Sequence, residues 1–144
     1  MPQSPQRKGR VMQWRQAGRG ATIGVLAAGM LAVSATAAFA DIVRGNNGQA
    51  VWCVQHVVHT YNGISVGPKG EDSDFGGNTE RGVKTYQRRM GVDDDGRVGP
   101  ITGHVMFQDV NNVRRIARQT GETDLFNDTG RWLNLCPPAS SVFQ

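Results

Sequence analysis

From Asn46 onward, apolar positions recur at helical spacing, and glycine-rich breaks separate the runs. Val51, Val54 and Val58 lie three and four residues apart, with Val57 and Tyr61 extending the stripe. Valines suit strands as well, but this spacing predicts a helix. The turn "GNNGQ" leads into it, with Asn46 or Asn47 available as N-cap, and Asn62-Gly63 closes it. Gly63 to Gly77 is rich in Gly, Pro, Asp and Ser and reads as a long ordered loop. A second helix is predicted over "TERGVKTYQRRMGV", capped by Thr79 and ended by Gly91. Val83, Tyr86 and Met90 share its apolar face, with Lys84, Arg88 and Arg89 toward solvent. In a third, begun at Thr102, Met106, Val110, Val113 and Ala117 recur at intervals of four, three and four. Asn111 and Asn112 are poor interior helix residues and predict a break there. In the tail, Leu125-Phe126 and Trp132-Leu133 flank Asp128-Thr129-Gly130 as the arms of a short hairpin would.

The first forty residues read differently. Arg7, Lys8, Arg10, Arg15 and Arg19 form a basic stretch without any acidic residue, followed by the apolar run "IGVLAAGMLAV" and the small residues "SATAAFA". That order predicts a secretory signal peptide over residues 1–40, with an A-x-A-like site at Ala38, Phe39 and Ala40 and a mature chain beginning at Asp41. An uncleaved anchor is the alternative, because the apolar and small-residue stretch continues to Ala40. The leader also carries the charge. Of 16 basic and 12 acidic residues, five basic and no acidic ones precede Asp41, so the net of +4 becomes −1 in the remainder. A nucleic-acid partner argued from net charge is therefore not expected, nor a membrane partner once the leader is gone.

Cys53 and Cys136 both follow the leader. An even count in an exported chain favours one disulfide between them, worth up to ~4–5 kcal/mol for a closed loop of about 80 residues. A free buried thiol and an intermolecular bridge are the alternatives.

The stretch "GVDDDGRVGPIT" resembles a calcium loop at first sight. With Gly96 as the sixth position, however, the first falls on Gly91 and the twelfth on Thr102, so two strong ligands are missing. An internal repeat explains it better. "DSDFGGNT" aligns with "DGRVGPIT", placing Asp72, Phe75, Gly76 and Thr79 on Asp95, Val98, Gly99 and Thr102 at a constant offset of 23 residues. In each copy the aspartate is expected to make an Asx turn and the apolar residue to plug the core. The glycine is expected in a conformation other residues resist, and the threonine as helix cap.

Taken together, these motifs resemble the peptidoglycan-binding domain of bacterial wall hydrolases. The resemblance covers about residues 46–110: Gly48, Val51, Val54, Gln55 and Val58 in the first helix; Asp72, Phe75, Gly76 and Thr79 in the first turn; Val83, Tyr86, Gln87, Gly91 and Val92 in the second helix; Asp95, Gly96, Val98, Gly99 and Thr102 in the last turn. Ser73, Gly82 and Tyr86 depart from the family's usual glycine, alanine and phenylalanine. The expected fold is mainly α, a small three-helix bundle with two structured Asp/Gly turns. Residues 111–144 lie outside the resemblance and form a C-terminal extension, tied back to the same domain if Cys53 and Cys136 pair.

The resemblance implies a secreted, wall-associated, non-catalytic module whose partner is peptidoglycan, with no cofactor. Candidate contacts are Asp74 and Arg97, at equivalent variable turn positions, together with Tyr61, Tyr86 and Arg88. Tyr86 lies on an apolar face, so core is its first reading; Arg88 is balanced between solvated face and contact. His56, His59 and His104 are expected to face solvent rather than bind a metal, since no H-E-x-x-H pattern is present. No G-x-S-x-G nucleophile motif occurs, and an enzyme is not expected. The rival is a protein-interaction domain that positions or inhibits a wall hydrolase. Joint exposure of Phe126, Trp132 and Phe143 would favour it.

Overall fold

The computed structural model describes residues 40–144; the signal peptide expected over residues 1–40 lies, except for Ala40, outside the described residues. Four α-helices form the body: α1 (Gln49–His56), α2 (Gly77–Met90), α3 (Pro100–Thr120) and α4 (Thr123–Ala139). A short π-helix, Val57–Tyr61, continues α1, and a 3-10 turn, Ser141–Phe143, follows α4. Among the described residues no strands form, only isolated antiparallel bridges joining Ile42 to Val98 and Asn47 to Asp74. No helix among them is long and apolar enough to cross a membrane.

The valine stripe of α1 packs inward, with Val51, Val54, Val57 and Val58 essentially inaccessible. Phe75 and Val98, one from each repeated turn, enter the same core beside Val83, Tyr86, Met106 and Val110. Gly91 and Gly121 end α2 and α3 with φ of 71° and 77°, left-handed geometry that favours glycine.

Two expectations fail in the C-terminal third. Helix α3 does not break at Asn111; it runs unbroken to Thr120. Asn111 donates its amide to the Phe107 carbonyl at 2.8 Å, one turn back, and the buried Met106, Val110 and Ala117 hold the helix on both sides of it. Packing overrides a propensity penalty of a few tenths of a kcal/mol. The tail is no hairpin either. Residues 123–139 form α4, whose buried positions Thr129, Trp132 and Cys136 keep helical spacing. Thr129 folds its hydroxyl back onto the carbonyls of Leu125 and Phe126 at 3.0 and 2.9 Å, which lets a polar residue sit inside.

Helix α4 is fastened to α1. A disulfide joins Cys53 to Cys136, and the buried Trp132 indole donates to the Cys53 carbonyl at 3.0 Å. The closing turn inserts Val142 and Phe143, with Phe143 edge-on to Trp132 at 5.2 Å. That turn lies directly on Gly103, where a methyl would run into the Val142 carbonyl. Gly103→Ala is therefore expected to displace the Ser141–Phe143 turn and to lower stability by about 1–3 kcal/mol in urea unfolding.

Candidate functional site

Each repeated turn is built around one buried glutamine. Gln55 of α1 donates from Nε2 to Asp72 Oδ1 (2.9 Å), the Asp74 carbonyl (3.1 Å) and Thr79 Oγ1 (3.0 Å). Its Oε1 accepts from the Ser73 N–H at 2.8 Å. Gln87 of α2 repeats the pattern on Asp95 Oδ1 (2.9 Å), the Arg97 carbonyl (2.8 Å) and Thr102 Oγ1 (3.1 Å). Its Oε1 accepts from the Gly96 N–H at 2.9 Å. Both glutamines are fully buried, so these bonds replace water for every polar atom of the amide. Within each turn the aspartate Oδ1 also accepts a backbone N–H two residues on, from Asp74 at 3.1 Å and from Arg97 at 2.8 Å.

This geometry reassigns two roles. Thr79 and Thr102 do not cap their helices; Gly76 and Gly99 hold the N-cap positions, and the threonine hydroxyls, inside the first turn, meet the glutamines. The strained backbone is not at Gly76 or Gly99, whose φ of −84° and −91° suits any residue. It lies at Ser73 and Gly96, with φ of 62° and 77°. A methyl at Gly96 would also meet the Lys84 and Glu80 side chains, which would have to move aside. Ser73 tolerates the same backbone at a cost.

The clasp also sets the charges. The Gln55 amide and the Asp74 N–H hold the Asp72 carboxyl below the ordinary range. At Asp95 burial pushes upward, but the Arg97 N–H, the Gln87 amide and the Arg97 charge outweigh it and the carboxyl is lowered.

Outside the clasps, each turn lines a shallow hollow at the start of the following helix. The first, about 160 Å³, includes Lys69, Asp72, Asp74 and Asn78. The second, about 180 Å³, includes Asp41, Asp95, Arg97 and Ile101. Asp74 and Arg97 are both exposed but line separate hollows. Arg97 donates from Nε and Nη2 to Asp41 Oδ2 at 3.1 and 2.9 Å. Arg88 is exposed and pairs with Asp94 at 2.9 Å.

Tyr86 is not a surface contact. Its ring is fully buried and its hydroxyl donates to Asp109 at 3.3 Å, with burial first and the Asp109 charge second raising its pKa. Tyr61 is half-buried, and its hydroxyl donates to Asp128 at 3.0 Å. The wide π turn brings this ring to the His56 side, edge-on at 4.9 Å.

His56 itself corrects an expectation, for it is 7% exposed rather than solvent-facing. Nδ1 lies 2.7 Å from Glu71 Oε2 and Nε2 lies 2.8 Å from Asp128 Oδ2, while Trp52 stacks on the ring at 4.7 Å. Both ring nitrogens are within hydrogen-bond distance of a carboxylate. The cluster thus ties α1, the 63–76 loop and α4 together. Sequence reading missed it because its carboxylates lie 15 and 72 residues away; the sole local hint is the apolar neighbourhood of Val54, Val57 and Val58. His59 and His104 are exposed. Among the described residues no group of His, Cys, Asp and Glu is arranged to hold a metal ion.

The described residues thus form a helical domain in which each repeated turn is clasped by a buried glutamine and lines a shallow hollow. Residues 60–106 match a family model described as "Putative peptidoglycan binding domain". No curated protein and no solved structure matches the chain. The matched span holds both turns and Gln87; Gln55, with the same bonding pattern, lies just before it.

Two outcomes follow from the clasp. Ser73→Gly relieves the left-handed strain and is expected to raise stability by about 0.5–1 kcal/mol in urea unfolding, after allowing for the freer unfolded chain. Because Asp72 and Asp95 are lowered in the folded state, their contribution is complete above about pH 4, the ordinary carboxyl value, and is lost as pH falls through the lower folded values. Unfolding curves taken across that range should show the Asp72→Asn, Asp95→Asn double variant less stable at neutral pH and less sensitive to acid than the parent.

Proposed function

We propose that this protein is an exported, non-catalytic module that binds bacterial cell-wall peptidoglycan through the face carrying the two clasped turns. The observation that carries the reading is the family match over residues 60–106, which spans both turns. The geometry supports it. Each clasp satisfies its buried polar atoms internally and leaves the variable turn side chains, Asp74 and Arg97, outward. One acidic and one basic position on a nearly neutral domain suit stem peptides, which carry both carboxylates and amines. Arg88, beside Asp94, and Tyr61, half-exposed beside Asp128, are the secondary candidates. The hydrolase-partner reading loses its motivating feature, since Trp132 and Phe143 are fully buried and Arg114 covers the Phe126 ring at 3.8 Å.

Co-sedimentation of the oxidised chain from Asp41 onward with insoluble peptidoglycan tests this. The parent is expected to pellet, and the folded Asp74→Ala, Arg97→Ala double variant to bind roughly tenfold more weakly. Equal pelleting of both moves the contact off the turns; a parent that stays in the supernatant sinks the wall-binding reading.

A further inference from the structure

We propose that this domain grips the peptide stem of peptidoglycan, rather than its glycan, in a trough along the start of α2. An amine of the ligand would meet Asp74 at one end and a carboxylate Arg81 at the other. The inference rests on the wall-binding reading above and specifies the part of the polymer that is held. Two hollows meet on this side of the domain. One is the first hollow, with Asp72 and Asp74. The next, about 240 Å³, is lined by Ile64, Ser65, Arg81, Gly82 and Thr85. Both also include Gly67 and Asn78, so they adjoin there and form one trough. Glycine keeps the boundary low: Gly67 has φ of 117°, and a methyl on it would sit 2.7 Å from Asn78 Nδ2. At Gly82, where the family pattern has alanine, a methyl would sit 2.9 Å from the Ser65 carbonyl oxygen. The 64–67 loop therefore rests directly on the helix backbone and walls the trough.

The two ends carry opposite charge. At the first, Lys69 against two aspartates leaves the lining net negative. Asp72 is taken up by the Gln55 amide, whereas Asp74, among the described residues, bonds only through its backbone. The other end contains Arg81 and no carboxylate. Arg81 donates from Nη2 to Asn78 Oδ1, which holds the guanidinium beside the shared boundary and leaves further N–H groups for an anionic oxygen. Arg88 reaches the same end, donating from Nη2 to Thr85 Oγ1 at 3.2 Å while its Nη1 is held by Asp94. From Gly77 to Thr85 the helix rises about 12 Å. That is the length of about three or four residues of extended peptide. A stem peptide of this size carries a diamino acid and free carboxylates, so it can set an ammonium on Asp74 and a carboxylate on Arg81 at once. A repeating sugar offers hydroxyl and acetamido groups to both ends alike and makes no use of the opposite charges.

The test is an NMR titration of the oxidised chain from Asp41 onward, which contains the whole described core. The probes are the soluble peptide N-acetyl-L-alanyl-γ-D-glutamyl-L-lysyl-D-alanine, the same peptide with its lysine amine acetylated, the same with its carboxylates amidated, and the disaccharide diacetylchitobiose. The free peptide is expected to shift the backbone amides of Gly67, Asn78 and Gly82, and either modification to weaken it about two- to fivefold. Arg81→Ala should cost the same factor and erase the difference between free and amidated peptides. Asp74→Ala should erase the difference between free and acetylated ones. A residue with a structural role alone would not pair with one ligand group in this way; both side chains are exposed, so urea unfolding should be unchanged. Shifts outside the trough, or modified peptides that bind as well as the free one, overturn the inference, as does a disaccharide that moves these amides instead. If peptidoglycan pellets the chain while the peptide leaves those amides unmoved, the wall-binding reading stands and the trough falls. A peptide seated in the trough of a chain that does not pellet keeps the site and sinks the wall-binding reading.

Discussion

A primary amide buried beneath a turn is the constraint on which this domain depends. Gln55 and Gln87 each present two hydrogens and two lone pairs to a pocket containing an aspartate oxygen, a carbonyl, a threonine hydroxyl and a backbone N–H. A bond of this kind adds only about 1 kcal/mol net, but losing the glutamine amide strands its buried partners at about 1–3 kcal/mol each. The clasp is therefore close to all-or-none. It fixes the turn, the turn sets Phe75 or Val98 into the core, and the following helix starts where the turn releases it. Because Gln55 sits on α1 and Gln87 on α2, each helix orders the turn that introduces the next one.

The C-terminal third is attached by different physics. A covalent bond at Cys53, an indole bond to the Cys53 carbonyl and the His56–Asp128 contact all fall within one turn of α1. The first shrinks the unfolded ensemble, the second satisfies a buried donor, and the third is electrostatic. Breaking any one leaves the other two in place. The glutamine clasps allow no such substitution, since their bonds share a single side chain.

How much of this the sequence makes legible depends on where each signal resides. Helices with an apolar stripe, such as the Val51–Val58 face, can be read because periodicity is local. The repeat is also readable, since its residues are close in the chain and its offset is constant. Roles within it are harder. Glycine after an apolar residue suggests special backbone at Gly76 and Gly99, yet the left-handed position falls three residues earlier, and in the first copy a serine occupies it. Helix α4 is misread because Asp128-Thr129-Gly130 has turn chemistry, while Thr129 folds back onto its own helix and Asp128 answers His56 from 72 residues away. Contacts across such distances leave no periodic trace. The hidden His56 and the unbroken α3 follow from the same cause, tertiary packing prevailing over local preference.

The same clasp separates what must stay fixed from what can differ. Asp72 and Asp95, Thr79 and Thr102 face the glutamines, so a change at any of them removes a partner of a buried amide. Asp74 and Arg97 enter the clasp only through backbone atoms, so the clasp itself does not fix their side chains, which are acidic in one copy and basic in the other. The rims diverge similarly, with Asn78 in the first hollow where the second has Ile101. The duplicated framework carries unlike side chains at its two rims. The turn side chains are thus set apart from the framework that holds them, and the rigidity of that framework comes from two buried amides.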